Sequence, residues 1–487
     1  MAQESTEENR DAPRGALDRF FKISERGSTI GREMRGGLVT FVAMAYIIVL
    51  NPLILGSFSE DDPAAKTDAT GAILGVPQVA AVTALVAGVL TILMGLVANF
   101  PFALAAGLGI NALVAYTIAP QMTWGAAMGL VVINGIVILI LVVTGVRTII
   151  FRAVPPPLKA AIAVGIGLFI ALIGLVDAGF VNPGDGVLSE LGIDGSIASW
   201  PTVVFVVTLI VMAILVARGV KGGILVGVVF GTLLALAVET VAGAGRLSDD
   251  NPTGWNYGYP ALPDNVFGLP DLSLVGNVSF DAWLQVPAIT AALLVFSLVL
   301  TDFFDTIGTM TGLGKQAKLE RKDGTLPNTG RALFVDSVGA VAGGVGSASS
   351  NTVYVESAAG IAEGARTGLA NIVTGVLFLI AMFFTPLYEI VPIEAAAPAL
   401  VIVGALMIRQ ITDIDFGDLA MALPAFLTMV VMPFTYSITN GIGAGFVSYV
   451  VLAAATGRAR TVHPLMWVVA VAFVIYFAIG PIQAALG

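Results

Sequence analysis

Two stretches interrupt an otherwise apolar, helix-forming pattern: Pro101-Phe-Ala-Leu-Ala-Ala-Gly-Leu-Gly-Ile-Asn111 and Gly343-Gly-Val-Gly-Ser-Ala-Ser-Ser-Asn-Thr-Val-Tyr-Val-Glu-Ser-Ala-Ala-Gly360. The first holds too many small residues and helix breakers for a strong full-length helix. The second is rich in Gly and Ser, then β-branched, then helix-forming. A strand followed by a half-helix would direct free backbone N–H groups and a positive helix end at the middle of a membrane.

Composition places these stretches in a membrane protein. Of 487 residues, 57% are hydrophobic and 11% are charged, whereas soluble domains average about 25% charged residues. Apolar blocks such as 38–55, 79–98 and 203–216 approach the roughly 20 residues that a helix needs to cross the hydrocarbon layer. The chain is therefore predicted to be an all-α polytopic membrane protein.

The apolar blocks group into two sets of seven. Spans are predicted at about 36–55, 76–98, 101–118, 124–145, 157–178, 201–217 and 222–240, and then at 284–312, 331–348, 352–365, 368–387, 394–411, 419–436 and 438–456. Two related halves with an odd number of spans must have opposite orientations, which is typical of inverted-repeat transporters. The two interrupted stretches are the third and tenth of about 14 segments, and matched interruptions indicate a binding site. A further apolar stretch, 464–480, could span the membrane, re-enter it or lie along its surface.

Charge is distributed unevenly between the two sides of the membrane that these predicted spans define. If the N-terminus is cytoplasmic, almost all Lys and Arg residues fall on the inner side, and only Lys66 and Arg246 fall outside. This positive-inside bias predicts a multi-pass protein of the cell (inner or plasma) membrane. The net charge of −10 belongs mainly to the outer loops, so nothing favours a nucleic-acid partner.

Several classes of chemistry are disfavoured. The chain has no Cys and one His, His463, so thiol catalysis and a conventional zinc centre are not expected. The P-loop pattern of ATP-driven pumps is absent. We therefore expect no metal and no cofactor, with any transport driven by an ion gradient.

The eighth segment carries four polar residues on one helix face: Asp302, Asp305, Thr306 and Thr309. An acid at mid-span costs about 2.5–3.5 kcal/mol on insertion scales, so such residues are usually functional. Asp302 could be the structural member of the pair while Asp305 faces a ligand. The alternative is that both acids lie near the inner surface and pair with Lys315 or Lys318.

Each interrupted stretch offers a further candidate. Glu356 begins the second half-helix, where it could contact a ligand or proton, or simply cap the helix. Asn111 occupies the corresponding place in the first half, as a ligand contact or as a buried amide that supports the broken backbone. Asn51-Pro52 is expected to end the first span as a helix terminator rather than to serve as a ligand contact.

Five motifs together resemble the azaguanine-type branch of the nucleobase–cation symporter-2 (nucleobase–ascorbate) permeases. They are Phe21-Lys-Ile-Ser-Glu-Arg-Gly-Ser-Thr-Ile-Gly-Arg-Glu-Met-Arg-Gly-Gly37, Ala43-Met-Ala-Tyr-Ile-Ile-Val-Leu-Asn-Pro52, Ala106-Gly-Leu-Gly-Ile-Asn111, Thr301-Asp-Phe-Phe-Asp-Thr-Ile-Gly-Thr309 and Thr352-Val-Tyr-Val-Glu-Ser-Ala-Ala-Gly-Ile-Ala-Glu-Gly364. The resemblance runs from about residue 20 to 480.

The resemblance implies proton-coupled uptake of adenine, guanine or hypoxanthine by an elevator-like movement. It implies a 7+7 inverted repeat with short strands in segments 3 and 10, and often a homodimer. A core domain (segments 1–4 and 8–11) would move against a gate domain (5–7 and 12–14). The implied boundaries are a cytoplasmic tail 1–35, core 36–145, gate 157–240, outer connector 241–283, core 284–387, gate 394–456 and a C-terminal apolar segment 457–487.

The resemblance also implies site residues. Asn111, Asp305 and Glu356 fall on substrate-contact positions, and Asp302 matches a second essential acid. Thr309 stands where relatives often carry Asp or His. Ala106 and Ser357, within the same motifs, complete the predicted substrate-binding set. Asp305, Glu356 and Asp302 are the predicted proton-coupling residues.

These groups suit a purine, which is flat, neutral and edged with alternating N–H, N and C=O groups. A carboxylate accepts two hydrogen bonds from adjacent N–H donors, and an amide complements the opposite edge. The residues do not rank adenine, guanine and hypoxanthine. Three rival functions remain: an anion carrier on the same repeat, an intramembrane enzyme that uses paired Asp residues, and a membrane sensor that binds without transport.

Overall fold

The computed structural model describes residues 15–59, 65–145, 153–184, 187–193, 195–248, 250–256, 259–263, 265–319, 326–388 and 390–478. Parts of the expected N-terminal tail (1–14) and C-terminal segment (479–487) lie outside the described residues.

Helices dominate the described chain. They are α1 (Ala16–Phe21), α2 (Ile30–Met44), α3 (Ile47–Leu55), α4 (Val76–Val97), α5 (Leu108–Leu113), α6 (Trp124–Thr144), α7 (Pro156–Asp177), α8 (Trp200–Ala217), α9 (Gly223–Ala242), α10 (Ala282–Gln285), α11 (Ala288–Gln316), α12 (Thr329–Val345), α13 (Ser357–Ala362), α14 (Gly368–Ala381), α15 (Ile393–Met407), α16 (Leu419–Phe434), α17 (Ile438–Ala455) and α18 (Pro464–Phe477). The strands are β1 (Leu104–Ala106), β2 (Val181–Gly184), β3 (Val187–Leu191) and β4 (Asn351–Val353).

Nine helices within the described ranges are long and apolar enough to cross a membrane. Three more, Ala288–Phe303, Leu419–Phe434 and Pro464–Phe477, are apolar but shorter. The prediction of a helical, multi-pass membrane protein is therefore confirmed.

The first span differs in detail from the sequence prediction. Helix α2 begins at Ile30 rather than near residue 36, because the Thr29 side chain caps it by accepting from the Arg32 amide at 3.3 Å. A turn at Ala45–Tyr46 separates α2 from α3. Pro52 lies inside α3, which continues to Leu55, so the prediction that Asn51-Pro52 ends the span is wrong.

The spans fall into two sets, defined by the helices that contact each other most. The first set comprises α2, α4, α6, α11, α12 and α14, in which α4 packs on α14 and α6 on α12. The second set comprises α7, α8, α9, α15, α16 and α17, in which α7 packs on α15 and α16. Glycines allow the closest crossings: a Cβ built on Gly375 would lie 2.5 Å from the Gly88 carbonyl oxygen.

The C-terminal apolar stretch folds as α18, which packs on α17 and α11. Phe473 is fully buried there, with its ring centroid 6.4 Å from those of Phe446 and Phe296. Helix α18 thus contacts both sets of helices. Its 14 residues are fewer than the roughly 20 needed for a perpendicular crossing.

Candidate substrate-binding site

Strands β1 and β4 meet in the interior, where they pair antiparallel from Leu104–Val353 to Ala106–Asn351. All six strand residues are buried. Two further backbone hydrogen bonds of 2.9 Å, one at each end, extend the ladder. Inside a membrane, buried backbone N–H and C=O groups must be paired. The pairing of β1 with β4 therefore satisfies the backbone groups of the two interrupted segments.

Side chains fasten the two strands to their half-helices. The Ser357 hydroxyl accepts from the Ala103 amide at 3.0 Å, and the Tyr354 hydroxyl donates to the Ala106 carbonyl at 2.6 Å. Both Ala106 and Ser357 are fully buried. In this conformation these two predicted site residues belong to the scaffold of the interrupted segments.

Asp302 on α11 is completely buried. Its Oδ2 accepts from the Asn134 amide at 2.8 Å and from the Ser350 hydroxyl at 2.6 Å. One carboxylate therefore joins α11, α6 and the residue preceding β4.

Asp305 lies one turn further along α11 and is exposed. Its Oδ2 accepts from the Thr352 hydroxyl at 3.3 Å. In the described chain no ion pair joins Asp305 or Asp302 to Lys315 or Lys318. The surface-pairing alternative is thus absent from this conformation.

Glu356 precedes α13 and is partly exposed. It makes no capping hydrogen bond to that helix. Instead its Oε1 accepts from the Tyr46 hydroxyl at 2.5 Å. Thr352, which bonds to Asp305, belongs to β4, and Glu356 follows that strand, so β4 places both predicted residues beside one strand.

Asn111 on α5 is fully buried. Its amide donates to Asn51 Oδ1 at 2.6 Å, and the Asn51 amide donates in turn to Thr83 at 2.7 Å and to the Ala348 carbonyl at 3.2 Å. The Asn111 side-chain oxygen is buried with no protein partner in the described chain. The Asn111 amide group supports the broken backbone, and its side-chain oxygen can still accept a hydrogen bond from a ligand.

The remaining polar residues of the α11 face differ from one another. Thr306 is buried and donates to Asp336 Oδ1 on α12 at 3.0 Å, while Thr309 is only partly buried. Asp336 was not predicted as a site residue, although an acid within a predicted span is itself a signal of function.

Three more neighbours were not singled out from the sequence: Asn134, Ser350 and Tyr46. Asn134 is an amide inside the apolar helix α6. A buried polar side chain needs a hydrogen-bond partner, so its position in the sequence was a weak signal of a polar contact. Nothing local marks Ser350 or Tyr46, because their roles depend on partners far away in the sequence.

The family profile described as "Permease family" matches residues 31–444. The chain belongs to this family. It is therefore a transporter and not an enzyme.

Relatives that match along the whole chain are named for purine bases. The chain is 38% identical to the guanine/hypoxanthine permease PbuG of Bacillus subtilis, covering 94% of this chain and 98% of that one. It is 35% identical to the adenine permease AdeP of Escherichia coli K12, covering 95% and 96%. It is also 35% identical to the guanine/hypoxanthine permease GhxP of Escherichia coli O157:H7, covering 96% and 97%.

Solved structures share the fold at low sequence identity. The transmembrane domain of the cyanobacterial bicarbonate transporter BicA superposes with a TM-score of 0.55 at 16% identity, covering 85% of this chain and 96% of that one. SLC26A9 gives a TM-score of 0.56 at 11% identity, covering 88% and 66%.

Proposed function

We propose that this permease takes up purine nucleobases (hypoxanthine, guanine or adenine) together with protons. The observation that carries the proposal is that Asp305, bonded to Thr352 of β4, and Glu356, which follows β4, are each at least partly exposed and have no basic partner in the described chain. The names of the full-length relatives supply the substrate class.

The free oxygens of the two acids suit the edge of a purine. Thr352 occupies one oxygen of Asp305 and Tyr46 occupies one oxygen of Glu356. No other residue of the described chain donates to the second oxygen of either. Each carboxylate can therefore accept from a purine N–H group, which is the strong, charge-assisted kind of hydrogen bond.

The same acids are the proposed proton carriers, with Asp302 behind them. Two acids beside one strand, with no basic partner in the described chain, are stabilised when one takes up a proton, because this removes the repulsion between like charges. Binding of a proton to one carboxylate and of the N–H groups of a base to the other would together reduce the repulsion between the two acids. The driving force is the proton gradient, and no cofactor takes part.

Two ion pairs join segments next to the first set of helices to segments next to the second set, and they support alternating access. Lys66, before α4, lies 3.4 Å from Asp177 at the end of α7, and both side chains are buried. Tyr116 donates to the same carboxylate at 3.0 Å. A second, partly exposed pair joins Lys221, between α8 and α9, to Glu363 after α13.

We assign the first set as a moving core and the second as a gate, within 14 segments that form two inverted repeats. Contacts of α4 with α14 and of α6 with α12 are equivalent under that symmetry. We propose that the protein lies in the cell membrane with its N-terminus in the cytoplasm. We also propose that it works as a homodimer.

We propose that Asp305 is reached from the cytoplasmic side. Residues 298–300, which precede Asp305 on α11, are buried, whereas Gly312 and Lys315, which follow it, are exposed. The buried Lys66–Asp177 pair lies on the opposite side. This conformation is accordingly assigned as inward-facing.

Uptake of labelled hypoxanthine in a host lacking purine permeases tests the proposal. We expect competition by unlabelled guanine or adenine and loss of uptake in Asp305→Ala and Glu356→Ala. Asp418→Asn is the control, because Asp418 is a partly exposed acid, paired with Arg458, outside the proposed site. Normal uptake in both site variants would overturn the site, and bicarbonate uptake in place of purine uptake would favour an anion carrier.

A further inference from the structure

Tyr46 is rigidly placed at the break in the first span. Only 1% of the residue is exposed, and its neighbours Met44 and Ile47 are fully buried. Its carbonyl accepts from the amides of Val49 and Leu50 at 3.0 and 2.9 Å, which begins helix α3. The ring therefore cannot swing without disturbing the packed core.

The hydroxyl of this fixed ring reaches across to the second half of the chain. It donates to Glu356 Oε1 at 2.5 Å. Glu356 is only partly buried and makes no bond to cap α13. Among other residues of the described chain, Tyr46 is thus the only hydrogen-bond donor to this carboxylate.

We propose that Tyr46 is a positioning residue for the binding carboxylate. It occupies Oε1, fixes the plane of the carboxylate, and leaves Oε2 as the single acceptor for an N–H group of the base. The inference rests on the proposed function, since it takes Glu356 as a ligand contact. Holding an acceptor in place beforehand saves the entropy that its ordering would otherwise cost on binding.

Tyr46→Phe removes the hydroxyl and keeps the ring. We expect the Kd of purified protein for labelled hypoxanthine, and the KM for its uptake, to rise roughly 10-fold, the size of effect expected for one hydrogen bond to a charged group. Vmax per transporter at the cell surface should stay near the wild-type value. Tyr388→Phe is the matched control, because that hydroxyl donates only to the Ala381 carbonyl, at 2.9 Å.

A double-mutant cycle separates positioning from a general structural role. In a Glu356→Gln background, Tyr46→Phe should change the Kd much less than it does in the wild type. An equal rise in both backgrounds would overturn the inference, as would an unchanged Kd in Tyr46→Phe alone. Thermal melting of each variant without ligand reports any loss of folding.

The outcomes also separate this inference from the proposed function. If Glu356→Gln weakens binding and Tyr46→Phe does not, the purine site stands and the role of Tyr46 fails. If the wild-type protein binds no purine, the proposed function fails.

Discussion

At the scale of single residues, two acids one helical turn apart have different environments. Asp302 is fully buried and accepts hydrogen bonds from Asn134 and Ser350. Asp305 is exposed and, among the described residues, accepts a hydrogen bond only from Thr352. We infer that Asp302 mainly maintains the site while Asp305 binds the ligand.

Asp302→Ala should destabilise the protein, because it leaves two buried donors without their acceptor. Each unsatisfied group costs about 1–3 kcal/mol, so the melting temperature should fall clearly. Asp305→Ala should melt near the wild-type temperature and yet fail to transport. Melting curves of the two purified variants measure the contrast, and equal stability of both would contradict it.

Helical spacing alone placed Asp302 and Asp305 on one face. It could not assign different partners to them, because Asn134 lies 168 residues and Ser350 lies 48 residues away in the chain. The same limit explains Tyr46, which is 310 residues from Glu356. Composition and periodicity identified the class of the fold, whereas the hydrogen-bond network of the site depends on tertiary contacts.

At the scale of elements, the β1–β4 pair needs help from neighbouring side chains. Two strands of three residues each are too short to be stable alone. Thr91 on α4 brackets β1, accepting from the Leu104 amide at 2.9 Å and donating to its carbonyl at 3.1 Å. The half-helices depend on this ladder for their position.

Thr91→Val keeps the shape of the side chain and removes both hydrogen bonds. We expect a loss of about 1–3 kcal/mol in stability, because the Leu104 amide is left buried and unpaired. Thr240→Val is the control, since that exposed hydroxyl donates to the Leu236 carbonyl within α9 and does not contribute to the β1–β4 pair. A similar melting temperature for Thr91→Val and the control would show that Thr91 does not support β1.

At the scale of the whole molecule, the two bridging ion pairs have unequal surroundings. Lys66 and Asp177 are buried, with Tyr116 beside them, whereas Lys221 is half exposed. We infer that the buried pair keeps the outer side closed in this conformation and must separate before the site opens outward.

Lys66→Met combined with Asp177→Asn should favour the outward-open state, because it removes the pair without leaving one buried charge. The chain has no Cys, so Val355→Cys, at a position 59% exposed beside the site, provides a single label. An impermeant thiol reagent added outside should react several-fold faster in the triple variant than in Val355→Cys alone. As a control, Lys22→Met with Glu25→Gln, an exposed pair, added to Val355→Cys should leave the labelling rate unchanged. Equal labelling rates in Val355→Cys, the triple variant and this control would contradict the inference.

We propose that a purine and a proton are carried together on Asp305 and Glu356. The accumulation of labelled hypoxanthine in liposomes that contain the purified protein, acidic outside and neutral inside, measures whether the two are carried together. We predict accumulation above the external concentration that a protonophore abolishes and that Asp305→Ala and Glu356→Ala lack. Accumulation that does not depend on the pH gradient, or that persists in both variants, would contradict this proposal.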